Sequence, residues 1–163
     1  MLMLRHIRQT LTVLMLTSPV VLAAQAFDPE RSTRAFLDSY VSGNATVVQS
    51  LIDSKNLIVY GSDTEEFVRG GTGLLRLMMA DQQLWHHSAT FGPMQKITTV
   101  RSRDLITIFF EAPFLLPHAP PVPVRFSLVW HREHGRWLLI QSANTVPTQH
   151  QSADELLSSG SNK

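Results

Sequence analysis

The sequence predicts an α+β domain in which N-terminal helices cover one face of a curved antiparallel sheet. Three observations carry this. Apolar residues recur at helical spacing only in the first half of the folded region. From about residue 85 the chain changes character. Residues 87–101, 104–112, 122–132 and 136–146 are rich in Ile, Val, Thr, Phe and Trp, the residues of strands. The last two of these runs flank His134-Gly135, a tight-turn pair. Helices first and a meander of strands afterwards place the helices together on one face of the sheet.

Each element has its own local reason. Asp28-Pro29-Glu30 is a helix start, with an N-cap, a proline at the first helical position and an acid in the first turn. Phe36, Leu37, Tyr40 and Val41 form the apolar face of that helix, and Gly43 ends it. Asn44 caps a second, shorter helix built on Val47, Val48, Leu51 and Ile52. Asn44-Ala45-Thr46 also matches a glycosylation sequon, which matters only in a eukaryotic host. Leu57-Ile58-Val59-Tyr60 is a short strand, stopped by Gly61. A third helix follows Gly70, with Thr72 as its cap and Leu74, Leu75, Leu77, Met78 and Met79 as its buried side. Gly70-Gly71-Thr72-Gly73 lacks the Gly-Lys-Ser/Thr ending of a phosphate loop. Prolines crowd residues 113–123 and stiffen the connection between two strands.

Strand parity assigns the faces. With a two-residue turn at His134-Gly135, Trp130 stands opposite Leu139, Leu128 opposite Gln141, and Phe126 opposite Ala143. This face is apolar except for Gln141 and is expected to be the buried one. Arg125, Ser127, His131, Ser142 and Asn144 share the other face with Val129, Leu138 and Ile140. That half-polar face suits solvent or a second copy of the chain, and a homodimer is expected through it. A slip of one residue would exchange the two faces.

The ends and the composition bound the setting. Arg5 and Arg8, the apolar run 10–23 and Ala24-Gln25-Ala26 form the three parts of a secretory signal peptide over residues 1–26. The run is shorter than the ~20 residues of a membrane span and contains Pro19. Cleavage after Ala26 would leave a domain over 27–150 and a Ser/Gly/Asn-rich tail over 151–163, expected to be disordered apart from a helical turn at Ser152–Leu157. A periplasmic or secreted protein with no later membrane span is the expectation. The chain has no cysteine, which removes disulfides and lipid attachment. Its net charge is +1 before Arg5 and Arg8 are lost. No basic stripe remains, which argues against nucleic acid.

Two segments resemble a known family. Gly61-Ser62-Asp63-Thr64-Glu65-Glu66, followed by Gly70 and a helix, resembles the strand–turn–helix signature of SnoaL-like domains in the nuclear transport factor 2-like superfamily. Gly135-Arg136-Trp137 and Val146-Pro147 resemble the ends of the last strand of that fold. The resemblance covers about residues 28–150 and implies a cone-shaped fold with a pocket for small apolar molecules. It also marks departures. Where relatives carry two histidines and a serine on the last strand, this chain has Gln141, Ala143 and Thr145. The first-helix tyrosine of ketosteroid isomerase aligns with Phe36, and its general-base aspartate with Gly61.

The remaining candidates read mostly as frame. Asp63, Glu65 and Glu66 are the only dense carboxylate cluster, best explained as a turn whose carboxylates accept backbone N–H bonds. His86 and His87, if on a strand, point to opposite faces and cannot share an ion. His118, His131 and His134 fall in or beside turns. No metal site and no cofactor is expected. There is no Gly-x-Ser-x-Gly elbow and no cysteine nucleophile. The candidate ligand-binding residues are Tyr60, Trp85, Leu128, Trp130, Leu139 and Gln141. The first reading is a non-catalytic pocket for a small apolar or amphipathic molecule. A self- or partner-association module is the second, and an isomerase, dehydratase or cyclase the third. A carboxylate pointing into the cone beside a tyrosine or histidine would favour the third.

Overall fold

A computed structural model describes residues 26–147. The expected signal segment up to residue 25, the helical turn at Ser152–Leu157 and the C-terminal tail lie outside the described residues. Among the described residues there are three helices, α1 Pro29–Val41, α2 Ala45–Leu51 and α3 Gly70–Leu84, the third following two short strands. Seven strands make one sheet: β1 Ile58–Tyr60, β2 Phe67–Arg69, β3 Thr90–Phe91, β4 Gln95–Arg101, β5 Leu105–Leu115, β6 Val122–Glu133 and β7 Arg136–Thr145. Their order is β2-β1-β7-β6-β5-β3, with β4 also paired to β5. The α+β class is as the sequence predicts. The sheet is mixed rather than wholly antiparallel, because β1 runs parallel to β7.

The caps of α1 and α2 match their sequence signals. Asp28 accepts a hydrogen bond from the Arg31 N–H, and Asn44 from the Val47 N–H. The start of α3 differs from expectation. It begins at Gly70, not at Thr72, and has no side-chain cap. Its first two amides instead donate to the carbonyls of Leu57 and Ser54. A backbone acceptor there satisfies the orphan N–H groups that a capping hydroxyl would otherwise serve. Gly70 has φ +72°, and a Cβ on Gly71 would crowd Ser54, so this close approach requires both glycines. Met79 is exposed, a correction to its place on the buried side of α3, while Leu74 and Met78 carry that role.

The hairpin between β6 and β7 turns at His134 and Gly135, both with positive φ, as a two-residue turn of this hand requires. The register follows the predicted parity as far as Trp130 opposite Leu139. A bulge then inserts Ile140, and from there Val129 faces Gln141, Leu128 faces Ser142 and Phe126 faces Asn144. The expected pairs of Leu128 with Gln141 and Phe126 with Ala143 are thereby corrected. Gln141 joins Val129 on the outer face, while Ser142 and Asn144 turn inward.

The core lies between the inner face of the sheet and helices α1 and α3. Phe36, Leu37, Leu74 and Met78 meet Ile106, Ile108, Phe110, Leu128, Trp130 and Leu139 there. Trp130 is wholly buried, and its indole N–H donates to the buried Thr33 hydroxyl at 3.1 Å. Phe27 closes this end, stacked on Trp137 and tilted against Trp130. Among the described residues no helix is long and apolar enough to cross a membrane.

Candidate functional site

A cavity of about 330 Å³ lies between α1, α3 and the sheet. That volume lies at the lower end of the ~300–1,000 Å³ typical of small-molecule sites. Its walls are mainly apolar: Phe36 and Leu37 from α1, Leu74 and Leu77 from α3, and Phe91, Phe114 and Phe126 from the sheet. Trp85, just past α3, packs on Phe114 and Tyr40 at its rim.

The polar groups of the cavity come from four places. Tyr40 near the end of α1 donates its hydroxyl to Asp81 of α3 at 2.6 Å. Burial pushes the Tyr40 phenol well above its ordinary range, and the Asp81 hydrogen bond and the charges of Asp81 and Glu66 add to this. Burial also raises the Asp81 carboxyl; the Tyr40 hydrogen bond works against that shift, and the Glu66 charge adds to it. Glu66 and Asp63 reach the cavity from the turn between β1 and β2. Ser142 and Asn144 enter from β7 because of the bulge. The Oδ1 atom of Asn144 is buried without a hydrogen-bond partner among the described residues.

The acidic turn is built as its sequence suggests. Asp63 accepts from the Glu65 N–H, and Glu66 accepts from the Asp63 N–H. The Glu66 side chain folds back over Gly61, in the space a Cβ at that position would need.

No protein-family model matches the chain, and no curated protein sequence does. Solved structures do match. An NTF2-like protein of unknown function from Pseudomonas putida superposes with a TM-score of 0.65 at 9% identity, over 75% of this chain and 86% of that one. A candidate dehydratase of the NTF2-like family from Streptomyces avermitilis gives 0.63 at 14% identity, over 74% and 94%. A candidate ketosteroid isomerase from Shewanella frigidimarina gives 0.60 at 15% identity, over 71% and 92%. The fold is nuclear transport factor 2-like. At these identities the likeness establishes the fold alone.

Within this NTF2-like frame the predicted site residues separate. Trp85 lines the cavity. Leu128, Trp130 and Leu139 face inward as expected, yet they sit in the solid core and are fully buried away from the cavity lining. Tyr60 is exposed and packs at a tilt against Phe67 at the β1–β2 edge. Gln141 lies on the outer face, so its assignment as the inward polar group is overturned by the bulge at Ile140. Ser142 and Asn144 take the inward positions that the sequence reading gave to Gln141 and Ala143. His86 and His87 lie in the turn after α3 with positive φ rather than on a strand. Among the described residues no three His, Cys, Asp or Glu side chains gather as a metal group would.

Tyr40 and Asp81 are the pair that sequence reasoning missed. A signal for Asp81 was present. Leu74, Leu77, Met78, Asp81 and Trp85 recur at three- and four-residue steps along α3, so the carboxylate falls on the apolar stripe. An acid on a buried stripe is rarely there without a partner.

Proposed function

We propose that this domain binds a small apolar or amphipathic molecule in the cavity between α1, α3 and the sheet, with the Tyr40–Asp81 pair holding its polar group. One observation carries the reading: a mainly apolar cavity lined by a small number of polar side chains, the hydrogen-bonded Tyr40 and Asp81 among them, the usual form of a small-molecule site. The test is a calorimetric and fluorescence titration with naphthylethanol, an apolar body with one hydroxyl. Saturable binding should quench or shift Trp85 emission, and a Trp85→Phe control identifies the reporter. Val124 lines the cavity, so Val124→Phe should weaken binding while the protein still unfolds cooperatively. Absence of saturable binding, or equal binding by Val124→Phe, overturns the reading.

The second reading is an acid–base enzyme, favoured by the Asp81 carboxyl beside Tyr40 inside the cavity. Two of the structural neighbours named above carry candidate isomerase and dehydratase names. The group types absent from Phe36 and Gly61 reappear nearby. Tyr40 lies one turn along from Phe36, and the Glu66 carboxylate occupies the space above Gly61. This reading ranks second because proton transfer needs a base and a free donor, and the Tyr40 proton is already given to Asp81. Exchange of ketone α-protons for deuterium, lost in Asp81→Asn, would move it to first.

A further inference from the structure

We propose that the molecule held in this cavity is a hydrophobic amine in its protonated form, an inference that rests on the binding reading above. The argument is one of charge and of hydrogen-bond sense. Asp63, Glu66 and Asp81 line the cavity, and among the described residues no Lys, Arg or His does. The Glu66 charge reaches the Tyr40–Asp81 pair, so two carboxylates repel across a space with apolar walls. A cation between them removes that repulsion, and an anion increases it.

The hydrogen-bonding atoms agree. Tyr40 has spent its only proton on one oxygen of Asp81, which leaves the carboxylate to accept from a ligand through the other. The Asn144 Oδ1 atom is an acceptor, buried and without a partner among the described residues. An ammonium has donors and no acceptor, and so complements both. The walls add a third feature. Aromatic rings of Phe36, Phe91, Phe114, Phe126 and Trp85 surround the space, and ring faces attract cations. A neutral alcohol would satisfy one acceptor and leave the charge uncompensated. A carboxylate ligand would meet like charge and no free side-chain cation.

The experiment compares three molecules with one body: naphthylethylamine, naphthylethanol and naphthylacetate, titrated calorimetrically against the full chain at neutral pH. The amine should bind about ten- to a hundred-fold more tightly than the alcohol, the scale of one charge-assisted hydrogen bond with a cation–π contact. The acetate should bind most weakly. Asp81→Asn should abolish the preference for the amine, lowering amine affinity more than alcohol affinity, while cooperative urea unfolding reports that the variant is folded. Asn144→Leu should weaken the amine more than the alcohol. Alcohol binding as tight as amine binding, or tightest binding of the acetate, overturns the cation inference and leaves the pocket reading intact. Binding of none of the three overturns both.

Discussion

Thr33→Val tests whether the core is organised as described. The Trp130 indole N–H donates to the Thr33 hydroxyl at 3.1 Å, and both residues are 0% exposed. Valine has the same shape and a similar helix propensity, so the change removes the acceptor with little alteration of packing. The indole N–H is then left buried and unpaired, at a cost of about 1–3 kcal/mol. The added methyl group offsets part of this by its own burial, roughly 0.8 kcal/mol. The net expectation is a loss of up to about 2 kcal/mol, seen as a lower urea midpoint at unchanged m-value. In a Trp130→Phe background, which lacks the N–H, the same substitution should cost nothing and keep the gain from the buried methyl, so the coupling energy is that of the unpaired N–H, about 1–3 kcal/mol. An equal effect of Thr33→Val in both backgrounds, a coupling energy within about 0.3 kcal/mol of zero, would refute the hydrogen bond and the helix–sheet register it fixes.

Four further outcomes are expected. Asp81 has a raised carboxyl in the folded state, so folding takes up protons between the ordinary carboxylate range, near ~4, and that raised value. Stability should therefore fall as pH rises through that window; subtracting the Asp81→Asn curve of urea midpoint against pH isolates this negative slope, and a slope of the opposite sign would contradict the burial described. Gly61→Ala would place a Cβ on the Glu66 side chain, its Cβ included, and should cost about 1–3 kcal/mol by urea unfolding, relieved when Glu66→Gly is added but not by Glu66→Ala, which keeps that Cβ. The outer sheet face, with Val129, Leu138 and Ile140 half-buried, is proposed as a homodimer surface; wild type should sediment as a dimer and Ile140→Glu as a monomer, and a wild type that stays monomeric at high concentration ends the idea. Export is proposed to leave a mature protein beginning at Phe27, which N-terminal sequencing of exported material checks; retention of residues 1–26 would make that segment an anchor.

The frame was legible in the sequence because its signals are local. Asp28, Asn44 and His134-Gly135 each announce a cap or turn through their own chemistry, and each sits where that chemistry requires. The site was less legible because it depends on two non-local events. The first is the bulge at Ile140, which no residue type signals and which exchanges Gln141 for Ser142 and Asn144 at the inner face. The second is the meeting of Tyr40 with Asp81, forty-one positions apart, which follows from the packing of α1 against α3. Thr72 failed as a cap for a related reason, since the carbonyls that serve α3 come from residues 54 and 57.

The Tyr40–Asp81 pair is held in place by the frame itself. Gln82, the residue after Asp81, is buried and donates through Nε2 to the carbonyls of Tyr40 and Val41. Those are carbonyls at the C-terminal end of α1, which have no partner within their own helix. The Oε1 atom of Gln82 meets His87 Nδ1 at 3.0 Å, a contact that places the proton on Nδ1. One side chain thus ties the end of α1 to α3 and to the turn beyond it, while its neighbour presents a carboxylate to the cavity. The position of Asp81 relative to Tyr40 is therefore fixed by a second set of hydrogen bonds before any ligand arrives. A ligand that meets Asp81 loses affinity neither to ordering that side chain nor to drawing the helices together. Preorganisation of this kind suits a site that selects by charge and hydrogen-bond sense, because a rigid acceptor cannot move aside for a ligand that offers no donor.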